Sequence, residues 1–253
     1  MPSHLHVTDT SRAYNKAGQP IVPEMEPTSR EHISRILLAA LEETAEGLYN
    51  IDKIAERSRV SSESVRRVLS RFGGEKAHRI ILAVAALKAG CEPSKVVRNL
   101  TWREMENFAR EIGGRAGYQH LENIYFGLEG RRFQIDLILW RYRVILVVDC
   151  KRWKKPLAGE TLRSVSLRHE DRCRALAKYL EATIPGNNRV SFQPVVVSVY
   201  EPSTRLSGIT HIVPVDTLIN YLNTFDYGYS SGGISASLHL RWSELLKAML
   251  GRR

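Results

Sequence analysis

Asp136, Asp149 and Lys151 are the residues whose types and spacing point most directly to chemistry. They lie in the stretch 131–155, RRFQIDLILWRYRVILVVDCKRWKK, which holds eight Lys and Arg residues but only two acids and so carries a net charge of +6. Two carboxylates at the end of a buried strand are costly unless a positive group binds them. A divalent cation with the Lys151 ammonium beside it meets that requirement.

Strand periodicity predicts how these side chains meet. Asp136 lies in a strand whose alternate residues, Phe133, Ile135, Leu137 and Leu139, are predicted to face a core, so Asp136 points the other way. The run VILVVDC is apolar throughout and predicts a central strand buried on both faces. Asp149 and Lys151 are two apart and share a face. If the two strands pair as a hairpin, Asp136 and Asp149 converge beside Lys151.

A plainer interpretation stays open for each residue. The two acids can be hairpin-end residues paired with Arg131, Arg132 or Arg143, and Lys151 can extend its ammonium from a strand end into water. Gln193 can point into the same cleft or be a satisfied core amide. His169, Glu170 and Arg172 lie on a helix that can border the cleft, although a solvated helix face is the simpler expectation.

The pattern resembles the PD-(D/E)xK nuclease superfamily, with Asp136 as the first acid and Asp149-Cys150-Lys151 as the (D/E)xK element. It is most similar to the Mrr-like and archaeal Holliday junction resolvase-like branch, in which a Phe-Glu pair precedes a Gly-aromatic turn by about eleven residues. Here Met105-Glu106 and Gly117-Tyr118 have that spacing, so Glu106 matches the acid on the helix. Met105, the absence of glycines before Asp136, and Asp149 in place of Glu depart from the usual pattern.

The resemblance implies a catalytic set of Glu106, Asp136, Asp149 and Lys151. It also implies a Mg²⁺ or Mn²⁺ site formed by Asp136, Asp149 and the Cys150 backbone carbonyl, with Glu106 directly or through water, because hard cations take oxygen ligands. The reaction would be phosphodiester hydrolysis by a metal-activated water that Lys151 positions. The eight histidines show no HExxH spacing, so no zinc site is predicted.

A second motif precedes this region. In IDKIAERSRVSSESVRRVLSRF the apolar residues fall where a helix-turn-helix needs them, and a serine, Ser61 or Ser62, can cap the second helix. Arg59 stands where such turns usually have Gly, which suggests a winged variant or a longer turn. A helical bundle for dimerisation or docking is the other interpretation. The residues predicted to contact DNA are Arg57, Arg59, Arg66, Arg67 and Arg71 here, with Arg152, Trp153, Lys154 and Lys155 after the acid motif.

The elements that must position these residues change in type near residue 100. Residues 1–27 hold four prolines and no apolar periodicity and predict a flexible tail. Residues 28–100 predict a small all-α helix-turn-helix domain. Residues 101–253 predict an α/β domain: a helix ended by Gly113, Gly114 and Gly117, three strands, a long helix, further strands, a Gly/Ser loop over 226–237 and a final helix. The fold class is thus α/β, and the resemblance implies a restriction endonuclease-like mixed sheet flanked by helices.

Composition limits the function classes. The 253 residues carry a formal net charge of +10 and are 43% hydrophobic, which excludes wholesale disorder and favours a polyanionic partner. No apolar run reaches a membrane-spanning length, and the three cysteines are too widely spaced for a disulfide framework, so a cytoplasmic, nucleoid-associated protein is expected. The expected partner is duplex or branched DNA, and the resemblance implies a homodimer. Two rivals stay open: a catalytically inactive nuclease-fold protein that acts as a DNA-binding or transcription-associated regulator, and an enzyme acting on RNA.

Overall fold

The structure, a computed structural model, describes residues 29–43, 48–153, 156, 158–225 and 233–250. The predicted tail over 1–27, Lys154 and Lys155 lie outside the described residues. The chain divides into two compact units, residues 1–100 and residues 101–253.

The first unit is helical throughout its described part. Its helices are α1 (Arg30–Glu43), α2 (Ile51–Ser58), α3 (Ser62–Ser70), α4 (Arg79–Lys88) and α5 (Pro93–Arg98), with a 3₁₀ turn at Gly74–Lys76. The apolar residues that recur at helical spacing face one core, in which Leu37, Ile54 and Val65 are fully buried. The periodicity of the sequence is therefore what packs these helices together.

The turn between α2 and α3 is short and tightly capped. Asn50 accepts a hydrogen bond from the Lys53 backbone N–H at the start of α2, and Ser61 does the same for Ser64 at the start of α3. Arg59 ends α2 in the left-handed conformation (φ 54°, ψ 42°), where its N–H bonds the carbonyls of the last helical turn. The turn spans three residues, and the described part of this unit has no strand, so it contains neither a lengthened turn nor a wing.

The second unit is built on a seven-stranded mixed sheet. Its helices are α6 (Trp102–Arg115), α7 (Gly159–Thr183), α8 (Leu218–Thr224) and α9 (Trp242–Leu250). Its strands are β1 (Gln119–Leu128), β2 (Arg131–Arg141), β3 (Val144–Lys151), β4 (Pro185–Ser198), β5 (Leu206–Ser207), β6 (Thr210–Pro214) and β7 (Ser235–Leu238). The strand order is β1-β2-β3-β4-β6-β5, with β7 paired to β4. β1, β2 and β3 form an antiparallel meander, and β3 runs parallel to β4 after the crossover through α7.

Helix α6 differs from the predicted helix at its end. A capping box of Thr101 and Glu104 starts it as expected, but it continues through Gly113 and Gly114 to Arg115. A Cβ atom on Gly113 would lie 2.6 Å from the Leu139 side chain on β2. Gly113 therefore permits the close approach of α6 to the sheet, and Gly117 (φ 80°) makes the turn that follows.

The burial of β2 corrects the predicted alternation. Leu137 and Leu139 are buried as predicted, but Ile138 and Trp140 are also buried, and Phe133 is only half-buried. Helices cover both faces: α6 approaches Leu139, whereas Ile138 and Trp140 share a core with residues of α7 and α9. Asp136 therefore lies next to a core on its own face.

A further correction concerns the Gly/Ser segment. The predicted loop over 226–237 contains β7 from Ser235 onward, and this strand pairs antiparallel with the first half of β4. The predicted fold class is confirmed, because a mixed sheet flanked by helices follows a helical region. Across the described residues, no helix is both long and apolar enough to cross a membrane.

Candidate functional site

The β2–β3 register brings the two acids together. Leu137 lies opposite Val148 in this antiparallel pair, so the next residues outward, Asp136 and Asp149, are neighbours across the strands. The connection is a tight turn in which Tyr142 takes a left-handed conformation (φ 55°). The hairpin thus closes over a few residues and fixes which side chains meet at its open end.

Asp149 is a buried carboxylate that two cations contact. Its side chain is 4% exposed, with the Lys151 ammonium 2.9 Å from Oδ2 and the Arg172 guanidinium 3.5 Å from Oδ1. Burial alone would raise the pKa of Asp149, but His169, Lys151 and Arg172 together hold this pKa below its ordinary value. Asp149 is therefore the ionised member of the acid pair.

Asp136 has the opposite behaviour. Burial, the charge of Asp149 and a hydrogen bond with the Asp149 carboxyl raise the pKa of Asp136 to about 7. Glu106 on α6 contributes to this rise, and its own pKa is raised by burial and by the charge of Asp149. Oε1 of Glu106 is buried without a hydrogen-bond partner among the described residues. A bound cation would relieve the repulsion among these acids.

Asp136 and Asp149 line a cleft of about 500 Å³ that also has five basic side chains in its lining, whereas Glu106 lies outside this lining. Arg131, Arg132, Phe133 and Gln134 line it from the start of β2, and Arg168, Asp171 and Arg172 from α7. Trp102, at the start of α6, completes the lining together with Asp136, Asp149 and Lys151. The cleft combines fixed positive charge with a small group of carboxylates, a combination suited to a phosphate group and a metal ion.

Residues 96–199 match the family model described as the nuclease-related domain, NERD. This part of the chain is nuclease-like. The match includes the hairpin with both acids, Lys151 and all of α7. A chain in the crystal structure of protein VC1899 from Vibrio cholerae is similar at 11% identity and a TM-score of 0.35, over 84% of this chain and 59% of that one. No curated protein matches.

The oxygen atoms of Asp136, Asp149 and Glu106 are the ligand type that a hard divalent cation takes. In the described part of the chain, no three side chains of His, Cys, Asp or Glu are grouped to hold a metal ion by themselves. Mg²⁺ does not need such a group, because proteins commonly bind it through one or two carboxylates while it keeps several waters. Asp136 and Asp149 supply that number, and the unpartnered Oε1 of Glu106 is a further oxygen donor.

The Cys150 carbonyl, which the sequence placed in the metal site, has a partner in the structure. The indole N–H of Trp102 donates to it at 3.2 Å. A carbonyl oxygen has two lone pairs, so this hydrogen bond leaves one acceptor direction open. Trp102 was not among the predicted site residues, although its position one residue after the capping-box threonine places it at the start of α6.

The sequence also missed the basic walls of the cleft. Arg131 and Arg132 were considered only as partners for the acids, and Arg172 was placed on a helix that can border the cleft, with a solvated helix face as the simpler expectation. One signal in the sequence could have indicated a basic wall. Arg168 and Arg172 are four residues apart on the helix that follows the acid motif, and residues at this spacing share a helix face.

His169 and Glu170 are buried, in contrast to the expected solvated face. His169 is 2% exposed and donates from Nε2 to the Val147 carbonyl at 2.8 Å, since that oxygen can only accept. Its Nδ1 is buried without a partner among the described residues, and burial lowers the pKa of this imidazole. Glu170 accepts from the Ile209 backbone N–H, and Gln193 donates to the Ile209 carbonyl. Gln193 thus bonds within the sheet and is absent from the cleft lining.

The residues predicted to contact DNA are mostly exposed. On α3, Arg66 and Arg67 are exposed and Arg71 is half-buried. Arg57 pairs with Glu43 at 3.5 Å, and Arg67 pairs with Glu63 at 3.1 Å. Arg59, Arg152 and Trp153 are exposed.

Proposed function

We propose that the nuclease-related domain is a divalent-metal-dependent endonuclease that hydrolyses phosphodiester bonds in DNA. The observation that carries this proposal is the β2–β3 register, which sets Asp136 beside Asp149 with Lys151 on the same strand end. Mg²⁺ or Mn²⁺ is the cofactor that the donor atoms favour.

The residues of the site have separate tasks in this proposal. Asp149 and Asp136 hold the cation, together with the Cys150 carbonyl and Glu106. When bound, the cation activates water and polarises the scissile phosphate. Lys151 orients the attacking water and offsets the negative charge that grows on the phosphate in the transition state. Asp136 must release its proton before it serves as a ligand, because its pKa of about 7 keeps it partly protonated near neutrality.

The helical unit supplies a DNA-docking surface in this proposal. The surface consists of the exposed Arg59, Arg66 and Arg67 and the half-buried Arg71, which lie before, on and directly after α3. Their guanidinium groups suit phosphates and guanine edges. The short turn, the two capped helices and the buried Ile54 and Val65 are features that a helix-turn-helix requires.

Replacing single members of the site separates catalysis from binding. Asp149→Asn and Lys151→Ala should each reduce Mg²⁺-dependent cleavage by at least about a hundredfold, because each removes a group that acts in the transition state. DNA affinity in EDTA should change little. Cleavage of linear, nicked, single-stranded and four-way DNA, with and without Mn²⁺, measures the first effect, and fluorescence anisotropy measures the second.

Two variants with the same charge changes serve as controls. Glu160→Gln and Lys178→Ala alter exposed residues of α7 that lie outside the cleft lining, so both should cleave like the wild type. Unchanged cleavage in Asp149→Asn and Lys151→Ala would overturn the site assignment. Binding without product on every substrate would instead indicate a non-catalytic DNA-binding protein.

A further inference from the structure

Trp102 is an exposed aromatic residue in the wall of a basic cleft. It is 47% exposed and Trp153 is 37% exposed, whereas Trp140 and Trp242 in the same unit are 2% and 5% exposed. Single exposed apolar side chains are common on protein surfaces, so the feature that distinguishes Trp102 is its position in the cleft lining beside Asp149 and Lys151.

The indole of Trp102 is held in a fixed orientation. The capping box of Thr101 and Glu104 sets the backbone where α6 begins, and the indole N–H donates to the Cys150 carbonyl at 3.2 Å. Cys150 lies between Asp149 and Lys151, so the indole is tied directly to the strand end that carries the site. An aromatic ring that is anchored at one edge and exposed elsewhere presents a pre-oriented face.

We propose that Trp102 is a stacking platform for an unpaired nucleotide next to the scissile phosphate. This inference rests on the proposed nuclease function and refines its substrate class: DNA with an unpaired segment, such as a single strand, a flap or a frayed end, rather than continuous duplex. Trp102 is then a specificity residue that touches the substrate.

Two features of the cleft support an unpaired substrate. Sites for single strands combine a basic groove with aromatic side chains on which bases stack, and this cleft has Arg131 and Arg132 on one wall and Arg168 and Arg172 on another. Its volume of about 500 Å³ leaves room for a single nucleotide beside Trp102. A paired base would first have to leave its stack, which costs energy that an unpaired base does not require.

The test compares two substitutions at Trp102 on two substrates. One substrate is a fully paired duplex and the other the same duplex with a single-stranded flap, and kcat and KM are measured with Mn²⁺. Trp102→Leu should raise KM for the flapped substrate at least about fivefold, the loss expected for one base stack, and change KM for the duplex much less. Trp102→Phe keeps a ring without the N–H and should retain most of the preference. Tyr125→Leu removes an aromatic side chain of similar exposure, 45%, that lies outside the cleft lining, and is the matched control.

A binding readout keeps this inference separable from the proposed function. A flap carrying 2-aminopurine should lose fluorescence on binding to the wild type in EDTA, and Trp102→Leu should abolish that quenching. Quenching without cleavage of any substrate would overturn the nuclease function and support the stacking role. Equal losses on both substrates in Trp102→Leu and Trp102→Phe would overturn the stacking role and show that the N–H bond to Cys150 is what matters.

Discussion

The carboxyl groups of Asp136, Asp149 and Glu106 repel one another, so ionising all three without a counter-ion is costly. Asp149 forms ion pairs with Lys151 and Arg172. The pKa of Asp136 is raised to about 7, so this carboxyl keeps its proton up to near-neutral pH. Glu106 keeps a buried oxygen without a hydrogen bond among the described residues. In the metal-free protein this arrangement is a source of instability, because the charged forms repel one another in a poorly solvated place.

Asp136→Asn should therefore stabilise the metal-free protein above neutral pH. The pKa of the Asp136 carboxyl is about 7 in the folded protein and 3.8 in an unfolded chain. The folded protein therefore binds this proton more tightly, and the free energy of unfolding decreases as the pH rises from 3.8 to about 7. Asn has no proton to lose. The gain in the free energy of unfolding should be near zero at pH 4 and about 1 to 3 kcal/mol at pH 8, with allowance for solvent screening.

Urea unfolding in EDTA at several pH values measures this gain. Glu160→Gln, an exposed acid changed in the same way, should show no such dependence on pH. A gain for Asp136→Asn that is equal at pH 4 and pH 8 would contradict the repulsion between the acids.

The acids and the lysine could be predicted from the sequence because hairpin pairing and strand periodicity are local. The partners of Asp149 could not. Arg172 is 23 positions beyond Asp149, and which turn of α7 faces the cleft depends on how the crossover helix packs across the sheet. The orientation of Trp102 toward Cys150 depends in the same way on the docking of α6.

At the scale of elements, the α2–α3 turn holds a residue in a conformation that glycine adopts more easily. Arg59 has φ 54° and ψ 42°, which costs a residue with a Cβ atom about 1 kcal/mol. Strained positions often mark functional sites, and the exposed guanidinium of Arg59 belongs to the proposed docking surface. The sequence predicted a longer turn or a winged variant because Arg59 stands where helix-turn-helix proteins usually have Gly, whereas the structure has a turn of three residues.

Arg59→Gly should raise stability and weaken DNA binding together. The free energy of unfolding should increase by roughly 0.5 to 1 kcal/mol because the left-handed strain is relieved, and affinity for duplex DNA should fall severalfold. Thermal unfolding and anisotropy on the same samples measure both changes. Arg59→Lys is the control, since it keeps the charge and the strain. A variant that is stabilised but binds normally would remove Arg59 from the docking surface.

Two other elements, the end of α6 and the strand β7, could not be predicted from local sequence patterns. Gly113 and Gly114 predicted a helix end, yet Gly113 serves packing against Leu139 within the helix. The strand β7 was hidden in a Gly/Ser segment because its four residues, SASL, have little strand preference of their own. It forms because β4 begins at Pro185, and pairing with β7 gives the backbone N–H and C=O groups in the first half of β4 hydrogen-bond partners.

For the whole molecule, the net charge of +10 is uneven along the sequence, because the stretch 131–155 alone carries +6. One group of basic residues lines the cleft of the second unit, and another is exposed on α3. The proposed functions predict different effects for the two groups, because residues that dock DNA set affinity whereas residues at the reacting phosphate set the rate.

The double variant Arg66→Gln/Arg67→Gln should weaken DNA binding without changing the rate at saturating DNA. Loss of two phosphate contacts should lower the slope of log affinity against log salt concentration by about 2. Lys88→Gln/Lys95→Gln removes the same charge from exposed positions on α4 and α5 and is the control. A slope that falls equally in both variants would show that only the total charge matters.

The register between β2 and β3 also determines where this protein tolerates change in chain length. Surface turns usually accept inserted residues, but the Tyr142–Arg143 turn sets which residues of the hairpin face each other. One residue inserted in this turn could shift the pairing of β2 with β3 by one position. Asp136 would then face the opposite side of the sheet, although the two apolar strands would still pair. Affinity tags and fusion partners therefore belong elsewhere on the surface, since a protein altered at this turn can be well folded and lack its acid pair.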